Sequence, residues 1–162
     1  MRYFIDTEFW ERGAFSPIHL ISLGIVAEDG RQLYREVTGS AQAVKGFNSD
    51  WLQQNVIPHL IGGDVAKSVL EISRDVADFV GGADEEAPEF WGYFSDYDWV
   101  VFCQMFGDMG ALPKGWPYYC RDLRQALDER GIILSQPVDA IHNALSDARW
   151  IAQTWQDWIA PR

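Results

Sequence analysis

Apolar positions fall into short runs near the start of the chain and into helical spacing further on. Residues 2–7, Arg-Tyr-Phe-Ile-Asp-Thr, form a short β-rich run, which predicts a buried strand. Residues 18–27, Ile-His-Leu-Ile-Ser-Leu-Gly-Ile-Val-Ala, form a second run. Glu28-Asp29-Gly30 separates it from residues 31–38, which carry Leu33, Tyr34 and Val37. Asp-Gly between two strand-like runs predicts a hairpin. The chain therefore opens as a three-stranded antiparallel meander.

Helical spacing then takes over. Asn48 or Ser49 can cap a short helix that Pro58 ends. Over residues 64–80, Val65, Val69, Ile72, Val76, Phe79 and Val80 share one helical face, and Gly81-Gly82 stops the helix. Asp84-Glu85-Glu86 reads as a solvated acidic turn. A fourth strand is predicted over 89–94, with Ser95 capping a helix that Gly107 and Gly110 close. A fifth strand is predicted over 116–120. Asp122 caps the next helix, Gly131 ends it, and a last helix runs over 144–159 before Pro161. Three strands followed by alternating helices and strands predict an α/β fold, a mixed five-stranded sheet flanked by helices.

Composition narrows the class. A chain of 162 residues with 48% apolar and 14% aromatic residues is neither disordered nor fibrous, and it supports one domain over 1–162. Met1–Thr7 lacks the layout of a secretory leader, and no apolar stretch reaches the roughly 18–20 residues of a spanning helix. The expectation is a cytoplasmic, membrane-free protein. Cys103 and Cys120 have no zinc-site spacing and read as reduced thiols. The net charge of −11 argues against a passive electrostatic binder of nucleic acid. It does not exclude an enzyme that brings cations to its site.

Asp6-Thr7-Glu8 ends the first strand. Alternation puts Asp6 and Glu8 on one face, where two carboxylates repel unless a cation lies between them. Hard divalent ions take such oxygen ligands, although, taken alone, the common D-x-E pattern is better explained by a polar strand end facing water. Asp96 and Asp98 follow Ser95, and a capping box would account for Asp98 without chemistry. His142-Asn-Ala-Leu-Ser-Asp147 opens the last helix, and a histidine there suits proton transfer near neutral pH. His19 and His59 read as structural.

Together, D-x-E on the first strand, Tyr97-Asp98 at a mid-chain helix start and H-x4-D at the last helix resemble the DEDDh branch of the 3′–5′ exonucleases on the RNase H-like fold. That branch includes RNase T, oligoribonuclease and polymerase proofreading subunits. The opening Asp-Thr-Glu-Phe and the segment Tyr-Asp-Trp-Val-Val-Phe-Cys-Gln-Met-Phe-Gly are most similar to the small exoribonuclease family first described from mycobacteria. The resemblance implies catalytic roles for His142, Asp6, Glu8, Asp98 and Asp147, the four carboxylates holding two divalent cations, Mg²⁺ or Mn²⁺. Asp6 would bridge both ions, Glu8 and Asp147 would hold the ion carrying the attacking water, Asp98 would complete the second, and His142 would take the proton. Four carboxylates against two such ions leave a neutral site that a phosphate can approach.

Many relatives carry Asn a few residues before the third carboxylate, where this chain has Trp91-Gly92-Tyr93-Phe94-Ser95, and Asp96 is the rival to Asp98. Phe9 and Trp10 would stack on terminal bases or else belong to the core. Arg12, Lys45, Lys114, Arg121, Arg124 and Arg149 are the candidates for backbone contact. The implied activity is 3′–5′ hydrolysis of RNA 3′ ends, releasing nucleoside 5′-monophosphates, with a homodimer expected from the resemblance. A DNA exonuclease is the nearest alternative. A non-catalytic nucleic-acid-binding protein of the same fold and an RNase H-type endonuclease are the others.

Overall fold

The computed structural model describes residues 1–46, 49–82, 87–137 and 142–161. Strands β1 (Arg2–Trp10), β2 (His19–Ala27) and β3 (Gln32–Val37) form the antiparallel meander. Helices α1 (Ser40–Gly46) and α2 (Asp50–Asn55) follow, then β4 (Ala66–Lys67) and α3 (Val69–Val80). β5 (Glu89–Gly92), α4 (Asp96–Met105), β6 (Arg121–Asp122), α5 (Leu123–Glu129) and α6 (Ala144–Trp158) complete the order. The sheet runs β4-β3-β2-β1-β5-β6, with β5 parallel to β1 and β6 parallel to β5.

The architecture is the mixed α/β sheet expected, with six strands among the described residues rather than five. The extra strand, β4, lies where a helix was predicted to begin. Ser68 and Glu71 form a complete capping box, which starts α3 at Val69 and leaves Val65 in a 3-10 turn. β1 runs three residues beyond its predicted end. The fifth predicted strand is displaced, because residues 116–120 carry no strand and pairing with β5 begins at Arg121. α1 was not anticipated. Asn48 and the acidic turn at 84–86 lie outside the described residues.

Alternation along β1 sets the two layers. Tyr3 and Ile5 face α3 and α4, meeting Ile72, Val76, Phe102 and Met105. Phe4 faces α5 and α6, meeting Leu127, Ala148, Ile151 and Trp155. Burial on both faces makes β1 the centre of the hydrophobic core. A bulge separates Glu8, paired with Ser22, from Phe9, paired with Leu20, so Ile21 is the extra residue. Past it, Trp10, Ile21, Val44, Leu52 and Val56 form a third cluster that seats α1 and α2. Cys103 is buried, Cys120 half-buried, and neither forms a disulfide. No helix among the described residues is long and apolar enough to cross a membrane.

Candidate active site

Asp6 and Glu8 share the face of β1 that looks toward α6, and their partners on β2 are Gly24 and Ser22. Gly24 decides how close α6 can come. A Cβ at this position would lie 2.2 Å from the Ala144 carbonyl oxygen and 2.4 Å from the Leu145 nitrogen. Only a residue without a side chain lets the first turn of α6 rest on β2 beside Asp6. Asn143 caps that turn, its side chain accepting from the Ser146 N–H at 3.0 Å. Asp147, one residue on, is buried, and oxygens of Asp6, Glu8 and Asp147 lie within 4.8 Å of one another.

Asp98 arrives from the other layer. The expected capping box is not formed, since Ser95 makes no side-chain cap and its N–H donates to Asp122 Oδ2 at 2.8 Å. Asp98 Oδ1 instead accepts from the Thr7 N–H at 2.9 Å and from Thr7 Oγ1 at 2.6 Å. Thr7 stands between Asp6 and Glu8 on the opposite face of β1, so these bonds bring the α4 carboxylate to the strand that carries the other two. Asp98, which motif position favours, is buried, and its rival Asp96 is exposed.

His142 is half-buried at φ 71°, and its N–H donates to Asp147 Oδ2 at 3.0 Å. The other Asp147 oxygen accepts from the Gln136 amide at 2.5 Å. The His142 ring stands edge-on to Trp51 of α2, with centroids 4.7 Å apart. Trp51 is 53% exposed. A large apolar ring on the polar helix Asp50–Asn55 was the available signal for it. Behind α2, buried Glu36 accepts from Tyr34 Oη at 2.8 Å and from the N–H groups of Ile61 and Gly62 at 2.6 and 2.9 Å. This carboxylate ties the segment after the 3-10 turn Ile57–His59 to β3. Thr7, Gln136, Trp51 and Glu36 all escaped the sequence reading.

Phe9 and Trp10 have different fates. Phe9 is half-buried and stacks parallel to exposed Tyr97 at 5.6 Å. Trp10 is 9% exposed within the third core cluster and presents little surface to a substrate. In that cluster it packs with Leu52 of α2 and so helps to seat that helix. Among the basic candidates, Arg121 pairs with Glu89, Arg124 with Asp128, and Arg149 holds Gln32.

The carboxylates sit in an environment that resists their charge. Burial, followed by repulsion from Asp98, Asp147 and Glu8, holds Asp6 well above the usual carboxylate range. Burial, then Asp147 and Asp98, pushes Glu8 up to about 8. Burial raises Asp147 to about 6 against the bonds from His142, Asn143 and Gln136. Burial also raises Asp98, with Thr7 opposing it. His142 shifts down, through burial and then the charge of His59. Among the described residues no ion pair to Lys or Arg offsets the four acids. An all-oxygen, cation-free cluster fits hard divalent ions.

The sequence model of the Rv2179c-like 3′–5′ exoribonuclease domain matches residues 1–159. The 3′–5′ exoribonuclease Rv2179c of Mycobacterium tuberculosis strain H37Rv is 39% identical over 153 residues, 92% of this chain and 88% of the relative. The 3′–5′ exoribonuclease MT2234.1 of strain CDC 1551 matches to the same extent. With a family match over nearly the whole chain and relatives aligned across most of their own length, this chain belongs to the Rv2179c-like 3′–5′ exoribonuclease family.

Proposed function

We propose that this chain is a divalent-metal-dependent 3′–5′ exoribonuclease that shortens RNA from its 3′ end and releases nucleoside 5′-monophosphates, residues 1–162 acting as one exonuclease domain. The observation that carries this reading is the convergence of Asp6, Glu8 and Asp147 within 4.8 Å, in a chain whose relatives are named for that activity. These three and Asp98 would hold two ions, Mg²⁺ or Mn²⁺. When bound, the ions supply positive charge for a phosphodiester and the Lewis acidity that makes water nucleophilic near neutral pH.

The protein's own groups do the rest. The lowered pKa of His142 keeps its imidazole neutral at pH 7, so it can accept a proton from the attacking water. Trp51 fixes that ring from the side, and the His142 N–H fixes Asp147. The Phe9–Tyr97 stack and the exposed face of Trp51 offer apolar surface to bases, which suits single strands. A DNA strand is the competing substrate and forms an arm of the test.

The test is a denaturing-gel time course with 5′-labelled single-stranded RNA and the matching DNA, in Mn²⁺, Mg²⁺ or EDTA. A ladder shortening from the 3′ end of RNA, absent in EDTA and in His142→Ala, is the expected result. A faster ladder on DNA would reassign the substrate, and no cleavage in any metal would reject the enzymatic reading.

A further inference from the structure

Phe94 lies between β5 and α4, the helix that carries Asp98. Its φ is 54°, a conformation that costs Phe more than Gly or Asn. Its side chain is 67% exposed, so burial in the core does not compensate for that cost. Local preference and packing thus both argue against Phe here. A residue that violates both marks a place where function decides.

The position supplies the function. Phe94 lies four residues before Asp98. β5 pairs with β1 up to Phe4–Trp91, two residues short of Asp6. The Phe94 ring meets Tyr93 edge-on at 4.7 Å, and Tyr93 meets Trp150 of α6 at 4.9 Å. These rings buttress Phe94 from behind and leave much of it open. Trp51, by contrast, reaches His142 from α2, which is seated over β1 and β2. The two exposed aromatics therefore stand on different neighbours of the strand that carries Asp6 and Glu8.

We propose that Phe94 is a base-stacking residue for a nucleotide on the 5′ side of the scissile phosphate, so that its exposed ring forms an upstream subsite for single-stranded RNA. The inference rests on the exoribonuclease reading. It makes a distinctive demand: removing the ring should weaken substrate binding without weakening the fold.

The experiment compares wild type, Phe94→Asn and Phe94→Tyr by steady-state cleavage of a dinucleotide and of a single-stranded RNA heptamer in Mn²⁺, together with thermal melting. Phe94→Asn should raise KM for the heptamer by roughly tenfold, the scale of one lost base–aromatic stack. Its kcat should stay within about twofold, because only ground-state grip is removed. The KM for the dinucleotide should rise as well, because it carries a base on that side. Phe94→Tyr should restore the wild-type KM, and the Tm of Phe94→Asn should equal or exceed that of wild type, since Asn tolerates positive φ. An unchanged heptamer KM in Phe94→Asn would overturn this inference alone. So would a KM rise that comes with a lower Tm and that Phe94→Tyr fails to reverse. Wild-type protein that cleaves neither RNA would overturn the exoribonuclease reading and this subsite with it.

Discussion

Gly24→Ala is the sharpest perturbation the fold offers. The added methyl group would lie 2.2 Å from the Ala144 oxygen and 2.4 Å from the Leu145 nitrogen, against 3.4 Å for ordinary contact. All the clashing atoms are backbone, so no side chain can swing aside. The first turn of α6 must retreat by about 1 Å, and overpacking of this kind costs ~1–3 kcal/mol. In a domain of this size each kcal/mol lowers Tm by about 2–4 °C, so a loss approaching ~10 °C is expected. Asp147 moves with the turn, and a displacement of about 1 Å in a catalytic constellation costs roughly 100-fold in rate. The assay is thermal melting alongside 3′-end shortening of labelled RNA, read well below the variant's Tm. Gly46→Ala is the control, because its Cβ meets nothing within 4 Å. A Gly24→Ala protein with wild-type Tm and wild-type rate would refute the claim that this contact assembles the site.

Asp6→Asn should abolish cleavage with Tm in EDTA unchanged or higher, and retained metal-dependent activity would remove Asp6 from the site. Asp98→Asn should reduce the rate far more than Asp96→Asn, because Asp98 is buried on Thr7 whereas Asp96 is exposed; the reverse ranking would show that the wrong acid was chosen. The raised carboxylates mean that the metal-free fold binds more protons than the unfolded chain above the ordinary carboxylate value of about 4. Its stability should therefore fall as pH rises from about 4 toward the value of about 8 held by Glu8. Mn²⁺ should raise Tm more at pH 8 than at pH 5, Glu8→Gln should flatten the metal-free slope, and a metal-free Tm that climbs over this range would contradict the assignment. Thr7→Val removes the 2.6 Å hydroxyl bond to Asp98 but keeps the N–H bond, so it should cost ~1 kcal/mol and only part of the activity, measured by melting and by rate.

Sequence alone carried the elements that have strong local signals. Asp29-Gly30 announced the hairpin, Gly81 ended α3, and Asp122 caps α5 by accepting from the Gln125 N–H. β4 has no such signal, because two residues paired with β3 are defined by their neighbour. The start of α3 was legible and missed, since Ser68 with Glu71 three residues on is a capping-box pattern. In the candidate site, carboxylates and histidine were singled out by motifs whose order resembles a known family. Gln136, Thr7 and Trp51 did not, because each matters only through a partner brought close by the fold. The segment 91–95 was visible as a departure from a family pattern, but only the φ and exposure of Phe94 single out one residue within it.

The Glu36 clamp bears on how often the site opens. α2 and the turn after it present Trp51 to His142, and Glu36 holds the far end of that segment through the Ile61 and Gly62 amides. Those two protons cannot exchange with solvent while the clamp is shut. Their exchange rates therefore count the openings of this clamp, a local event far cheaper than global unfolding. If release of a product needs that opening, the same two amides report how often it occurs.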